Sequence, residues 1–263
     1  MIYLAGGRIG EMQQVILRLY GATPRSGGKD LGTRRTPDDE TLELVCVGYP
    51  DRPVSAKKAE ELARQAETLD GTGYKRLVIL AWDYEYNYST ALDNRRKTAN
   101  NWPKVEIESR SIPPDIYDYL KKAKSEEDIE PLRDKIAFHE KPYLRLADPQ
   151  VEQNGDGTAT VTIGLEKYVI FDIPVRKQKD REDLQALAKD NFAVLIDYWA
   201  VDWDYDGFTF KSQWQALRGN GRNVRVVPTT TTHTLPAGKD HTIAVRVVDI
   251  FGNDAAGTVE VKL

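Results

Sequence analysis

The chain has 263 residues, 40% hydrophobic and 30% charged, with 37 basic and 41 acidic side chains and a formal net charge of −4. That length accommodates two domains of ordinary size, and the negative balance excludes a uniformly basic nucleic-acid binder. No apolar run approaches twenty residues, so no membrane span or signal peptide is expected and a cytoplasmic location is; the single cysteine, Cys46, excludes an intrachain disulfide and reads as a buried, inert thiol.

Residues 1–39 form a segment of their own. Ala5-Gly6-Gly7-Arg8-Ile9-Gly10 looks like a damaged dinucleotide fingerprint, but it lacks a preceding strand of useful length and a following acid at the right distance. Ile9, Met12, Val15, Ile16 and Leu19 fit a helix from Arg8 to Tyr20. Gly21 to Asp39 then places Arg25, Lys29, Arg34 and Arg35 among Gly, Thr, Ser and Pro. This reads as a mobile loop, either simply solvated or serving as a phosphate-contacting arm.

From 40 to 143 the pattern is that of a small three-layer α/β module with a mostly parallel sheet. Leu42 to Gly48 is the first strand, and Ser55 caps a helix through Leu69 with Ala59, Leu62 and Ala66 on one face. Arg76 to Trp82 is apolar throughout its middle, as expected of a central strand covered on both faces. Lys104 to Ser109 alternates Val105 and Ile107 with Glu106 and Glu108, which predicts an edge strand. Pro113 and Pro114 open a helix containing Ile116, Tyr119 and Leu120, and Ser125 caps another with Ile129, Leu132 and Ile136 inward.

From 144 to 263 short strands and Gly-rich turns predict an antiparallel β-sandwich. The expected strands are Thr158 to Leu165, Tyr168 to Ile173, Ala193 to Tyr205, Asn223 to Val227, Thr242 to Ile250 and Gly257 to Leu263, with a helical interruption from Asp180 to Lys189. From Asp148 onward there are 17 acidic and 13 basic side chains, so the excess acid belongs to this half. The run His241-Thr-Ile-Ala-Val-Arg-Val-Val-Asp249 with Phe251-Gly-Asn-Asp254 resembles the last hairpin of a polycystic-kidney-disease-type or related immunoglobulin-like domain.

Asp202, Asp204 and Asp206 followed by Gly207 give the front half of a calcium loop, yet its twelfth position, where a bidentate Glu belongs, is Gln213. The competing account is a strand with Trp199, Val201, Trp203 and Tyr205 inward and the aspartates facing solvent, and the unbroken alternation favours it. Neighbouring carboxylates on one strand face repel by about 0.6 kcal/mol in water and about 2.4 kcal/mol at an effective dielectric of about 20. A partly covered cluster therefore needs a cation, calcium or a basic side chain. Asp83 and Glu85 lie past the end of the second strand of the α/β module, where such sheets bind ligands, and with Glu106 and Glu108 they make a conceivable nuclease-like metal pair. The three histidines show no zinc spacing, and no catalytic residue is identified.

Several longer stretches carry a family resemblance. Gly6-Gly-Arg-Ile-Gly-Glu-Met-Gln13, Leu17-Arg-Leu-Tyr-Gly-Ala22, Val47-Gly-Tyr-Pro-Asp-Arg-Pro-Val54, Val78-Ile-Leu-Ala-Trp-Asp-Tyr-Glu85, Asp197-Tyr-Trp-Ala-Val-Asp202 and Val247-Val-Asp-Ile-Phe-Gly-Asn-Asp254 together resemble the carboxyl-terminal region of bacterial adenine-specific DNA methyltransferases of the type III modification-subunit kind. The resemblance implies a non-catalytic region serving DNA target recognition or subunit docking, with DNA and the methyltransferase catalytic domain or a restriction subunit as partners. S-adenosylmethionine is implied for the parent enzyme and not for this chain, which has neither the F-x-G-x-G loop nor a D-P-P-Y-like motif. The chain is then a fragment or a separate downstream module. Phosphate contacts are expected from Arg25, Lys29, Arg34, Arg35, Arg95, Arg96 and Lys97. The rival readings are a metal-dependent nuclease or hydrolase built on the strand-end acids and a ligand-free structural module.

Overall fold

The structure is a computed structural model that describes residues 8–263, so the Ala5-Gly6-Gly7 part of the glycine-rich stretch lies outside the described residues. The chain divides into two compact units, one of residues up to 85 together with 92–140, the other of 86–91 together with 141–263. No helix among the described residues is long and apolar enough to cross a membrane.

In the first unit α1 (Arg8–Tyr20) gathers Met12, Ile16, Leu17 and Leu19 onto a buried face. The basic segment after it is not a mobile loop. It forms β1 (Thr23–Pro24) and β2 (Leu31–Arg35), which continue the sheet. Its glycines suggested a loop for want of side chains, whereas Gly32 is small because α1 passes close by: a Cβ there would lie 3.0 Å from Leu17 Cδ2 and from the Thr23 carbonyl oxygen.

The remaining elements are β3 (Leu42–Val47), α2 (Ala56–Thr68), β4 (Arg76–Ala81), α3 (Tyr88–Thr98, of which the part from Leu92 onward belongs to this unit), β5 (Glu106–Ser111), α4 (Ile116–Lys122) and α5 (Glu126–Arg133). The Lys58 amide donates to Ser55 Oγ at 3.0 Å to cap α2, and a capping box of Ser125 and Asp128 starts α5. Sheet order is β1-β2-β3-β4-β5, with β3–β4 and β4–β5 parallel and β1–β2 and β2–β3 antiparallel. The sheet is therefore mixed rather than mostly parallel, because the two added strands enter as hairpin neighbours of β3. Val45, Val47, Val78 and Leu80 share a core with α1, α4 and α5. Leu44, Cys46, Leu77 and Ile79 alternate with them and are equally buried, and α2 packs on β4 through Ala59, Leu62, Ala63 and Ala66.

The second unit contains β6 (Tyr143–Leu146), β7 (Gln150–Gln153), β8 (Thr158–Val169), α6 (Gln178–Asp190), β9 (Ile196–Asp202), β10 (Trp214–Leu217), β11 (Thr230–Pro236), β12 (Asp240–Asp249) and β13 (Asp254–Lys262). One antiparallel sheet has the order β10-β9-β12-β13; in the other, β8 pairs with β11 on one side and with β6 and β7 in succession on the other. Val161 and Ile163 of β8 meet Trp199 and Val201 of β9 and Ile243 and Val245 of β12 in one core, so the two sheets form a sandwich. Trp199 is fully buried and donates its indole N–H to the Pro228 carbonyl at 2.7 Å. The Tyr168 hydroxyl donates to Asp249 Oδ2 at 3.0 Å, joining the two sheets through a buried polar bond.

Three expected strands differ, the first being Tyr168–Ile173, of which Tyr168 and Val169 end β8 and the rest is irregular. Asn223–Val227 is irregular, with Val224 and Val226 exposed and only Val227 buried, while the threonine-rich run Thr230–Pro236 is the strand that pairs with β8. Ala193–Tyr205 begins as a 3-10 turn at Phe192–Leu195 and is a strand only from Ile196 to Asp202.

Candidate functional site

The sheet register of the first unit assembles a row of charge. Arg34 of β2 lies opposite Glu43 of β3, Glu43 opposite Arg76 of β4, and Arg76 opposite Glu106 of β5. Arg76 donates from Nη1 to Glu43 Oε1 at 3.4 Å and from Nε to Glu106 Oε2 at 3.3 Å. On the same face of β5, Arg110 Nε donates to Glu108 Oε1 at 2.5 Å, and its Nη1 donates to the Phe138 carbonyl at 2.7 Å. The Arg34 guanidinium sits 4.5 Å from the centre of the Tyr20 ring.

Glu43 is the unusual member of this row. Its side chain is 4% exposed, and Oε2 is buried with no hydrogen-bond partner among the described residues. Burial pushes its carboxyl above the usual range, opposed by Arg34 and by the hydrogen bond from Arg76. Burial also pushes the Tyr20 phenol up to about 12. The row contains no nucleophile paired with a base, so its chemistry is recognition and register. Slipping one strand by a residue would remove the Arg–Glu contacts and bury unpaired charge.

The expected phosphate-contacting side chains mostly serve the first unit itself. Arg25 binds Asp70, with Nη2 to Oδ1 at 2.7 Å, and holds that carboxyl down to about 2. Arg34 belongs to the charged row, and Arg35 donates to the Glu40 carbonyl at 3.2 Å. Arg95 donates to Glu60 Oε2 at 2.7 Å, while Lys29 lays its stem against Gly10. Arg96 stacks over Trp102 at 5.6 Å, and Lys97 follows it in the last turn of α3. Trp102 was not singled out in the sequence, although its position five residues after a basic run was a readable signal.

The acidic alternative does not assemble. Arg76 is level with Glu106 and Val78 with Glu108 in the parallel pair β4–β5, so Asp83, two residues past the end of β4, lies seven residues beyond the level of Glu106 and five beyond that of Glu108. At about 3.3 Å per residue in a strand those offsets correspond to about 23 and about 16 Å. The Asp83 carbonyl and the Glu85 amide bond to Val54, and Glu106 and Glu108 are taken up by Arg76 and Arg110.

For the aspartate series the strand account holds on the inward face, where Trp199, Val201 and Trp203 are buried, but the strand stops at Asp202 and the aspartates do not form a solvent-facing row. Asp202 ends β9 and is 1% exposed, its carboxylate accepting from the amides of Asp204 at 3.1 Å and Lys211 at 2.7 Å. Asp204 pairs with Lys239, which lowers its pKa, and also lies 3.2 Å from Nδ1 of the buried His241. Asp206 accepts from the amides of Phe208 and Thr209, both at 2.8 Å, around Gly207 at φ 87°. The carboxylates organise a turn, which presents Phe208 with 91% of its surface exposed. Among the described residues no group of three or more His, Cys, Asp or Glu is placed to hold a metal ion. Burial pushes the Cys46 thiol up to about 12, as suits an inert core side chain.

No family model matches the sequence, and no curated protein matches it. Among solved structures, hypothetical protein PH1083 from Pyrococcus horikoshii OT3 is 10% identical over 46% of this chain and 86% of its own, with a TM-score of 0.26. The reduced superoxide reductase (neelaredoxin) of Archaeoglobus fulgidus is 11% identical over 46% of this chain and 89% of its own, with a TM-score of 0.27. Likeness at that level carries no argument about this chain.

Proposed function

We propose that the chain is a non-catalytic accessory region of a bacterial, cytoplasmic adenine-specific DNA methyltransferase of the type III modification-subunit kind, contributing to DNA target recognition and to docking with the catalytic domain or restriction subunit. The observation that carries the DNA-contacting part is the Arg96–Trp102 stack beside Lys97, a cation and an aromatic face together at one helix end. S-adenosylmethionine belongs to the catalytic domain of the parent enzyme. The second unit is read as an immunoglobulin-like sandwich, supported by its two antiparallel sheets and the β12–β13 hairpin. Its exposed Phe208, Leu217, Val224 and Val226 suit protein docking better than phosphate contact.

The test is titration of the chain into fluorescent duplex DNA at two salt concentrations, followed by a gel. Affinity is expected to fall with salt, the DNA to stay intact, and R96Q/K97Q to reduce the log–log slope by about 2. Absence of binding at low salt would remove the DNA-recognition half, and cleavage would replace the whole reading.

A further inference from the structure

The second unit holds an open groove of about 780 Å³ between the end of β8 and α6. The half-buried Ile173 and Phe192 supply its accessible apolar surface, with the buried Tyr168, Ile170 and Leu195 beneath them. The groove persists because α6 is docked shallowly. None of its residues is buried, and of its apolar side chains Leu184 and Ala188 pack against the sandwich core. A volume of that size with an apolar lining and a few polar groups at its edge is the usual form of a small-molecule site, which spans roughly 300–1,000 Å³.

Its rim charges are not balanced in effect. Four ionisable side chains stand there: Glu166, Lys167, Glu182 and Lys189. Both oxygens of Glu166 are held by Arg145 at 2.8 Å, and Glu182 accepts from Gln178 Nε2 at 2.7 Å. Lys167 and Lys189 enter no ion pair or side-chain hydrogen bond among the described residues. Arg145 thus neutralises Glu166, while Glu182 accepts only from a neutral amide and keeps its charge, so the two ammonium groups outnumber the one carboxylate that has no cation on it.

We propose that this groove binds an amphipathic anion, with an apolar chain or ring system seated on Ile173 and Phe192 over Tyr168, Ile170 and Leu195 and a carboxylate or sulfonate head held by Lys167 and Lys189. The charge pattern selects the sign of the head group, and the lining selects the body.

The experiment is calorimetric titration of the full chain with decanoate below its micelle concentration, alongside decanol and decyltrimethylammonium as neutral and cationic matches. Decanoate is expected to bind one to one, at least ten-fold more tightly than decyltrimethylammonium, and K167Q/K189Q to erase that preference without moving the unfolding temperature. Ala186→Trp, which fills the groove from α6, should abolish binding of all three, with Gln185→Trp as a second filling variant. Equal affinity for the three head groups, no binding of decanoate, or binding that survives both filling variants would overturn the proposal. Sedimentation with phosphatidylglycerol vesicles without saturable binding of the monomeric acid would overturn it in favour of a membrane surface.

Discussion

The buried acids of the two units are satisfied in different ways. In the first, carboxylates are consumed by arginines: Glu43 and Glu106 by Arg76, Glu108 by Arg110, Asp70 by Arg25, Glu60 by Arg64 and Arg95. In the second, the buried Asp202 and Asp249 accept backbone amides instead, while Glu166, Asp204, Asp206 and Asp254 pair with Arg145, Lys239, Lys211 and Arg246 nearer the surface, and Lys167 and Lys189 enter no ion pair among the described residues. A count of charges along the sequence therefore misreports both surfaces. The basic arm before residue 40 is largely neutralised, and the acidic half offers free cations beside its groove.

Removing Asp249 should break the inward arrangement most severely. Asp249→Ala strands the Tyr168 hydroxyl and the amides of Phe251 and Asn253, all of which its carboxylate now accepts from. Urea unfolding of the second unit is expected to show a loss of about 3–5 kcal/mol, with Tyr168→Phe costing only about 1–2 kcal/mol. A loss below 1 kcal/mol would mean that this buried acid does not hold the two sheets together.

The paired arrangement of the first unit should respond asymmetrically. Arg76→Ala leaves Glu43 buried beside Arg34 alone and is expected to cost about 2–4 kcal/mol, whereas Glu43→Gln removes a desolvated charge and should cost less than about 1 kcal/mol. Equal losses in denaturant titration would show the pair to be a plain stabilising salt bridge.

Acid separates Glu43 from Asp70 by sign. The folded Glu43 carboxyl is raised, so its contribution is fully present below the unfolded value of about 4.3 and is lost as pH rises through the folded pKa. Asp70 is lowered to about 2, so its contribution is present above the unfolded value of about 3.9 and is lost as pH falls toward 2. Carbon-13 titration of the two carboxyls should move in these opposite directions, and a Glu43 midpoint at or below the ordinary value would refute the burial argument.

The smallest effect is expected at the aspartate turn. Phe208 is 91% exposed, so Phe208→Ser should change stability by no more than about 0.5 kcal/mol. If thermal unfolding shifted by several degrees, the turn would depend on a contact that its exposure denies.

The central strands, the capped helices and the sandwich core were legible because each is a local pattern. Apolar runs at 42–47 and 76–81, Ser55 and Ser125 at helix starts, and the alternation at 158–165 need no distant partner to be recognised. β2 was hidden because Gly32 faces a helix that the sequence cannot place beside it. β11 was hidden because its threonines carry weak hydrophobic contrast and gain their partners from β8, some 70 residues away. Glu43, Arg76 and Arg110 escaped notice for the same reason, each being a single charge within or beside an apolar strand.

Composition, periodicity and caps alone determined that an α/β layer precedes an antiparallel β region, that the lone thiol cannot form an internal disulfide, and that Arg96 and Lys97 end a basic run. Only tertiary structure decided which charges meet. Strand register is set by burial of side chains on both faces of a sheet, and it brings Arg34, Glu43, Arg76 and Glu106 into line from positions scattered over more than 70 residues while leaving Asp83 beyond the opposite end of β4.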